Sequence, residues 1–373
     1  MVEHFRDLSV LILSGSPIIG SFDFRARVDF VRIPGVIKLR NGEYTSLNLH
    51  IYIEETLAMR ASIIRHTAEI FDPDLFIVDK EPLGLRGEVK ETLESLKTRG
   101  TRLVLGLRDV LDEPAHLAPE WKRKGAGPVM RDLYDEIWVY GLPQIWDPIA
   151  DINLPKSVRK KAVFTGYLRR TVPDTVTPRP PIDTDQPFLL VTPGGGGDGE
   201  ALVDWVLRAY ESSFAPPWPA LIVFGPFMQP ESVAEFRRRI IGLRKVKAIT
   251  FDAYMESLMA RAAGVVAMGG YNTFCEILSL DKRAIIVPRT VPRMEQHIRT
   301  RRAAELGLVA MLEDDGTCDP QRMATALRRL PQQRPPSSVV IPGLLDGLDN
   351  VNRLVELGFN ARRQRRLAVK RPG

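Results

Sequence analysis

This chain of 373 residues has only two cysteines, Cys275 and Cys318, and five histidines, His4, His50, His66, His116 and His297. Both thiols sit in ordinary strand and helix patterning, which excludes a disulfide framework. Neither they nor the scattered histidines have the spacing of a zinc site. Long apolar runs are missing too. No window approaches the roughly 18 consecutive apolar residues of a membrane span, and the opening MVEHFRDLSVLILSGSP puts charges where a secretory signal needs its apolar core. The expected location is the cytoplasm. Carboxylate pairs at strand ends, which hold divalent cations, are also lacking. Asp72-Pro-Asp74 precedes its strand and Asp183-Thr-Asp185 falls in a linker, so no metal is expected.

What is present describes a soluble globular protein, with 44% hydrophobic and 26% charged residues and enough length for two domains. The net charge of +6 comes from the last thirteen residues, ARRQRRLAVKRPG. They hold Arg362, Arg363, Arg365, Arg366, Lys370 and Arg371, and without them basic and acidic residues balance at 46 each. A tail of this kind is a solvated terminus or a contact for an anionic membrane surface, and nucleic acid is not an expected partner.

Apolar strand-like runs alternate with helix-length amphipathic segments. In the first half the strands are SVLILSG, VDFVRI, DLFIVD, TRLVLGL, EIWVYG and AVFTG. In the second they are FLLVT, ALIVFG, AITF, GVVAM, AIIVP and LVAML, each followed by a helical stretch. This alternation predicts parallel sheets covered on both faces. RRTVPDTVTPRPPIDTDQP has five prolines and no periodicity, and marks a domain boundary. The expected divisions are a Rossmann-like domain over 1–168, a linker over 169–186, a second domain over 187–335, and over 336–373 a helix returning to the first domain with the basic tail. A doubly wound domain opens with a strand, a glycine-rich turn and a helix. Here only VEHF and its neighbours precede SVLIL, so the first domain is expected to lack that opening element.

In open α/β sheets ligands bind at the carboxyl ends of strands, where loops feed helix N-termini with free amides. Two loops fit. VTPGGGGDGE carries Gly194, Gly195, Gly196 and Gly197, whose backbone can approach a phosphate unobstructed; a mobile turn is the alternative. It matches neither a Walker loop nor the dinucleotide fingerprint. AMGGYNTFCEILSL places Gly269 and Gly270 at the end of a strand, then Asn272, Thr273 and Glu276. Thr273-x-x-Glu276 reads as a capping box worth about 1 kcal/mol. Capping does not require the glycines, whereas a diphosphate approaching the amides does. A carboxylate one turn further in can accept from two vicinal ribose hydroxyls, each bond contributing about 1.5–3 kcal/mol. In VPRTVPRMEQHIRTRRAAELG, Glu295 and Gln296 start a helix at the same sheet edge, where an acid beside an amide suits sugar hydroxyls or simply faces solvent.

Taken in order, the Gly194–Gly197 loop, GGYNTFCE and VPRTVPRMEQHIRTRRAAELG resemble the C-terminal domain of family 28 glycosyltransferases, the group containing the enzyme that adds N-acetylglucosamine to the peptidoglycan lipid intermediate. The first half, with FDPDLFIVDKEPLGLRGE and GTRLVLGLRDVLDEP, is similar to a little-characterised bacterial branch of glycosyltransferases. The resemblance implies a GT-B fold, two Rossmann-like domains facing a cleft, and a nucleotide-sugar donor as substrate with no cofactor. It implies that Glu276 holds the ribose, that Gly194 to Gly197 and Thr273 hold the diphosphate, and that Glu295 and Gln296 hold the sugar. The backbone near Phe251 and Asp252 would face the base.

The relatives' glycine-rich loop after the first strand has no counterpart before SVLIL, so the base is sought elsewhere. Asp109 and Asp79, each ending a strand, are the candidates, with capping of the next segment as the alternative for both. Lys80 and Arg108 beside them are candidates for holding an acidic acceptor. The expected activity is metal-independent, inverting transfer of a hexose or N-acetylhexosamine from a UDP-sugar-like donor to a lipid-linked or small-molecule acceptor. Two alternatives stay open. One is a nucleotide-sugar epimerase on the same fold, and the other a donor-binding subunit without turnover.

Overall fold

In the computed structural model, residues 1–38, 43–172, 186–195 and 197–369 are described. The proline-rich stretch 173–185, Gly196, and Lys370 and Arg371 of the tail lie outside the described residues.

In the first half β1 (Val10–Ser14) and β2 (Val28–Arg32) form a parallel pair, and β3 (Val36–Lys38) and β4 (Tyr44–Ser46) an antiparallel one. The hairpin is absent from the strand pattern read in the sequence, although Asn41-Gly42 is the dipeptide that signals one. Next come β5 (Leu75–Asp79), β6 (Arg102–Arg108), β7 (Glu136–Tyr140) and β8 (Ala162–Phe164), a parallel sheet in the order β5-β6-β7-β8. Among the described residues no strand joins β1 and β2 to this sheet.

The second half has one six-stranded parallel sheet of β9 (Leu189–Thr192), β10 (Ala220–Val223), β11 (Val246–Ile249), β12 (Gly264–Ala267), β13 (Ala284–Ile286) and β14 (Ala310–Met311). Its order is β11-β10-β9-β12-β13-β14. The apolar runs make these strands because both faces are covered. Leu189, Val191, Ile222 and Val266 pack on the helices Glu200–Glu211 and Pro320–Arg329, while Leu190, Leu221, Val265 and Ile286 pack under the helix Tyr271–Ser279. Each such side chain, removed from water, contributes about 1.5–3 kcal/mol.

The strand order changes direction at β9. The chain leaves β9 for β10 on one side and returns through β12 on the other, which opens a crevice at their carboxyl ends. Tyr167 and Gly347, where the chain passes between the halves, hydrogen-bond to each other's strand of backbone, Tyr167 N to the Leu344 carbonyl at 2.8 Å and Gly347 N to the Tyr167 carbonyl at 3.1 Å. The last helix, Gly347–Val369, then lies on the first half, with Val351 and Val355 against Val104 and Trp138.

Candidate functional site

The helix Tyr271–Ser279 points its N-terminus into the crevice. Its cap is Gly270, and no side chain caps it. The capping box read from the sequence is therefore not formed: the helix starts three residues earlier, with Gly270 and not Thr273 at its cap, which puts Thr273 inside its first turn. The amides of Tyr271, Asn272 and Thr273 have no intrahelical acceptor and face the crevice mouth. The two glycines have different reasons. Gly269 has φ +78, and a Cβ there would sit 2.7 Å from Ile286 Cγ2, so the fold itself demands glycine. At Gly270 a Cβ would meet nothing within 4 Å, which leaves that peptide open to a ligand.

Opposite lies the loop after β9. Gly194 has φ +84, and the loop rests on the turn after β10: Phe227 N donates to the Gly195 carbonyl at 3.0 Å. Gly225 is squeezed against it, since a Cβ there would lie 2.4 Å from the Gly194 oxygen. Gly197 continues to Gly199, the cap of the helix Glu200–Glu211, which has no side chain to accept from the helix amides. Two uncapped helix N-termini thus flank one crevice.

Glu276 is half-buried one turn into its helix. Burial, reinforced by repulsion from Glu256, pushes its carboxyl up to about 7, against the pull of Arg170. Arg170 itself was not singled out from the sequence. It follows β8, donates from its backbone to Ser279 Oγ at 2.9 Å and from Nη2 to Asn272 Oδ1 at 3.3 Å, and so lies along the helix Tyr271–Ser279. After β11, Phe251 is exposed and Asp252 Oδ1 accepts from Tyr254 N at 2.7 Å, which makes a tight turn at the carboxyl end of that strand.

Glu295 and Gln296 are buried, and both are engaged. Gln296 Oε1 accepts from the Arg289 amide at 3.2 Å, and Glu295 meets Arg289 Nη2 at 3.2 Å and Lys80 Nζ at 3.6 Å. Burial raises the Glu295 carboxyl, but Lys80, Arg299, Arg289 and Arg108 outweigh it and hold it below the ordinary range. Lys80 lies just beyond β5, so this pair ties the two halves together.

Asp109 has no access to a substrate. It is fully buried, gripped by Arg299 Nε and Nη2 at 2.8 and 2.6 Å and by the Tyr167 hydroxyl at 2.7 Å. The same Arg299 donates from Nη1 to the Gly269 carbonyl at 2.9 Å. The bidentate arginine and the phenol occupy this carboxylate, and the candidate base is in this structure a clamp on the Gly269 loop. Asp79 is different: its side chain is 67% exposed and only loosely paired with Arg108, at 3.8 Å. Arg108 stacks over the Tyr271 ring at 5.8 Å, which with the Lys80–Glu295 pair brings Asp79, Lys80 and Arg108 to the starts of the helices Tyr271–Ser279 and Glu295–Glu305. A hollow of about 620 Å³ lined by Thr45 to Tyr52 holds none of these residues.

Residues 225–335 match the glycosyltransferase family 28 C-terminal domain. This stretch is family 28-like, and the fold is GT-B. The family 28-like stretch contains every donor-side candidate except the Gly194–Gly197 loop. Over 181 residues the chain is 26% identical to the UDP-N-acetylglucosamine–N-acetylmuramyl-(pentapeptide) pyrophosphoryl-undecaprenol N-acetylglucosamine transferase of Methylorubrum extorquens, covering 47% of this chain and 48% of that protein. The chain thus spans about half the length of this curated relative. Among solved structures, the calicheamicin glycosyltransferase CalG4 shares 17% identity at TM-score 0.57, over 95% of this chain and 92% of that one. The UDP-GlcNAc 2-epimerase of Neisseria meningitidis, solved with UDP-GlcNAc bound, shares 12% at TM-score 0.57, over 94% and 99%. Both likenesses are of fold alone.

Proposed function

We propose that the chain is a metal-independent, inverting glycosyltransferase that uses a UDP-sugar-like donor, with residues 187–335 as the donor side and 1–168 as the acceptor side. One observation carries the reading. At the switch point of the C-terminal sheet, two helix N-termini free of side-chain caps converge on one crevice, with a raised carboxyl one turn inside one of them.

In this reading the diphosphate lies on the amides after Gly270 and along the Gly194–Gly197 loop, and Glu276 accepts from the ribose hydroxyls. The loop at Phe251 and Asp252 faces the base, while Glu295 and Gln296 border the sugar. Asp79, the accessible carboxylate across the crevice, takes the proton of the acceptor hydroxyl. The acceptor oxygen attacks C1 of the sugar, the bond from C1 to the diphosphate breaks, and the diphosphate leaves with the electron pair, its added charge met by amides and cations. Lys80 and Arg108 flank the acceptor.

Support comes from the family 28 match and from the relative that transfers N-acetylglucosamine. The test is thermal: UDP-N-acetylglucosamine or UDP-glucose raises the melting temperature, and Glu276→Ala removes most of the rise. Absence of a shift with every nucleotide sugar rejects the reading. The epimerase reading is favoured by the neighbour solved with UDP-GlcNAc, and it predicts UDP release without any acceptor. A donor-binding subunit binds but releases nothing.

No helix among the described residues is long and apolar enough to cross a membrane. The proposed site of action is the cytoplasmic face of a membrane, reached through the basic tail. Deleting residues 361–373 is then expected to abolish binding to anionic vesicles.

A further inference from the structure

We propose that Arg289 is the cation that receives the leaving diphosphate, and that without ligand it is parked across the crevice mouth on Asp198 and Glu295. The inference rests on the donor-site reading above. Arg289 follows β13, whereas Asp198 lies in the loop after β9, and β12 stands between those strands. A side chain reaching from one to the other must pass over the carboxyl end of β12, where Gly269 and Gly270 sit. Arg289 therefore spans the place where a diphosphate on the Gly270 helix would lie.

Its partners show how it is held. Nη1 is paired with Asp198, Nη2 donates to Glu295 Oε1 at 3.2 Å, and the backbone amide is anchored on Gln296. Nε is buried and has no hydrogen-bond partner among the described residues. The guanidinium thus has a free donor beside two carboxylates that are themselves shared, Glu295 with Lys80 and Asp198 with solvent, at 40% side-chain exposure. A diphosphate offers several oxygens to one guanidinium fork and can engage Nε and Nη together, which the present pairing does not. As the bond from C1 breaks, the electron pair moves onto the phosphate oxygen, and a cation already placed there stabilises it without reorganisation.

The rival explanation is a latch, with Arg289 and Asp198 merely closing the crevice. Calorimetric titration of the full chain with UDP and with uridine separates the two. Arg289→Ala is expected to weaken UDP about 10- to 100-fold while leaving uridine unchanged. Asp198→Asn, which releases the arginine, is expected to tighten UDP. Arg289→Gln, which keeps a polar side chain but removes the charge and the guanidinium fork, should behave as Arg289→Ala does, and an unchanged melting temperature for either variant shows that the fold is intact. If Arg289→Ala binds UDP as tightly as the parent chain or more so, the arginine is only a latch and the proposal is overturned. If the parent chain binds neither UDP nor uridine, the donor-site reading falls together with it. Uridine binding with a UDP affinity indifferent to Arg289 defeats this inference alone.

Discussion

The two halves are built from the same kind of strand, yet they are finished differently. In the C-terminal half β9, β10 and β12 are buried along their whole length within one continuous sheet. Among the described residues of the N-terminal half the strands fall into three separate sheets. Every residue of β1 is only half-buried, although its sequence is VLILS, and Ile77 of β5 is 38% exposed. The C-terminal half is thus held by its own sheet. The N-terminal half depends more on contacts from outside it: the last helix, and the polar bridges Asp109–Arg299, Glu295–Lys80 and Arg293–Glu120.

The strongest way to break this contrast is hydrogen exchange. Amides of β9, β10 and β12 are expected to open only with global unfolding, several kcal/mol above those of β1 and β2, which open locally. Equal protection in the two sets would erase the distinction between the halves. Next in size is the buried bridge. Arg299→Ala leaves Asp109 charged and unpaired in a dry site, and the expected loss is about 3–5 kcal/mol in urea unfolding. Pairing it with Asp109→Leu should recover much of that loss, because the stranded charge is gone. No recovery in the double variant would mean that Arg299 matters through Gly269 and not through the pair.

A smaller effect sharpens the comparison within the donor side itself. Gly269→Ala must adopt a positive φ and push Ile286, at a cost of about 1–3 kcal/mol, whereas Gly270→Ala has open space and should leave stability nearly unchanged. If Gly270→Ala nevertheless weakens UDP binding, the open space is ligand space.

These particulars show what was legible in the sequence. The six strands of the second half and the placing of Glu276 and the glycines at its carboxyl edge follow from local alternation and from where strands end. What escaped is partnership over distance. Arg299 meets Asp109 across 190 residues and Arg289 meets Asp198 across 91, and no local pattern encodes either. Asp109 illustrates the ambiguity: an aspartate ending a strand can serve a substrate or anchor a domain, and only the arginine above it decides. Thr273 misled for another reason, since a helix can start on a glycine with its first amides left unsatisfied, and here Gly270 took the cap position.

The finest test lies in one carboxyl and sets stability against binding. Glu276 stands at about 7 in the folded chain against an ordinary 4.5. Between those values the folded protein holds a proton that the unfolded chain has released. The unfolded state is therefore favoured as pH rises through this window, and stability should fall. Donor binding should move the other way, because the hydroxyls of a ribose are held best by the ionised carboxylate, so affinity for UDP should rise as pH climbs through 7. Glu276→Gln is expected to flatten both curves at once, with stability no longer falling and affinity no longer rising. Melting temperature and UDP titration between pH 5 and pH 8 read the two trends side by side. Should the glutamine variant keep the pH dependence of UDP binding, the titrating group lies elsewhere and Glu276 is not the ribose acceptor.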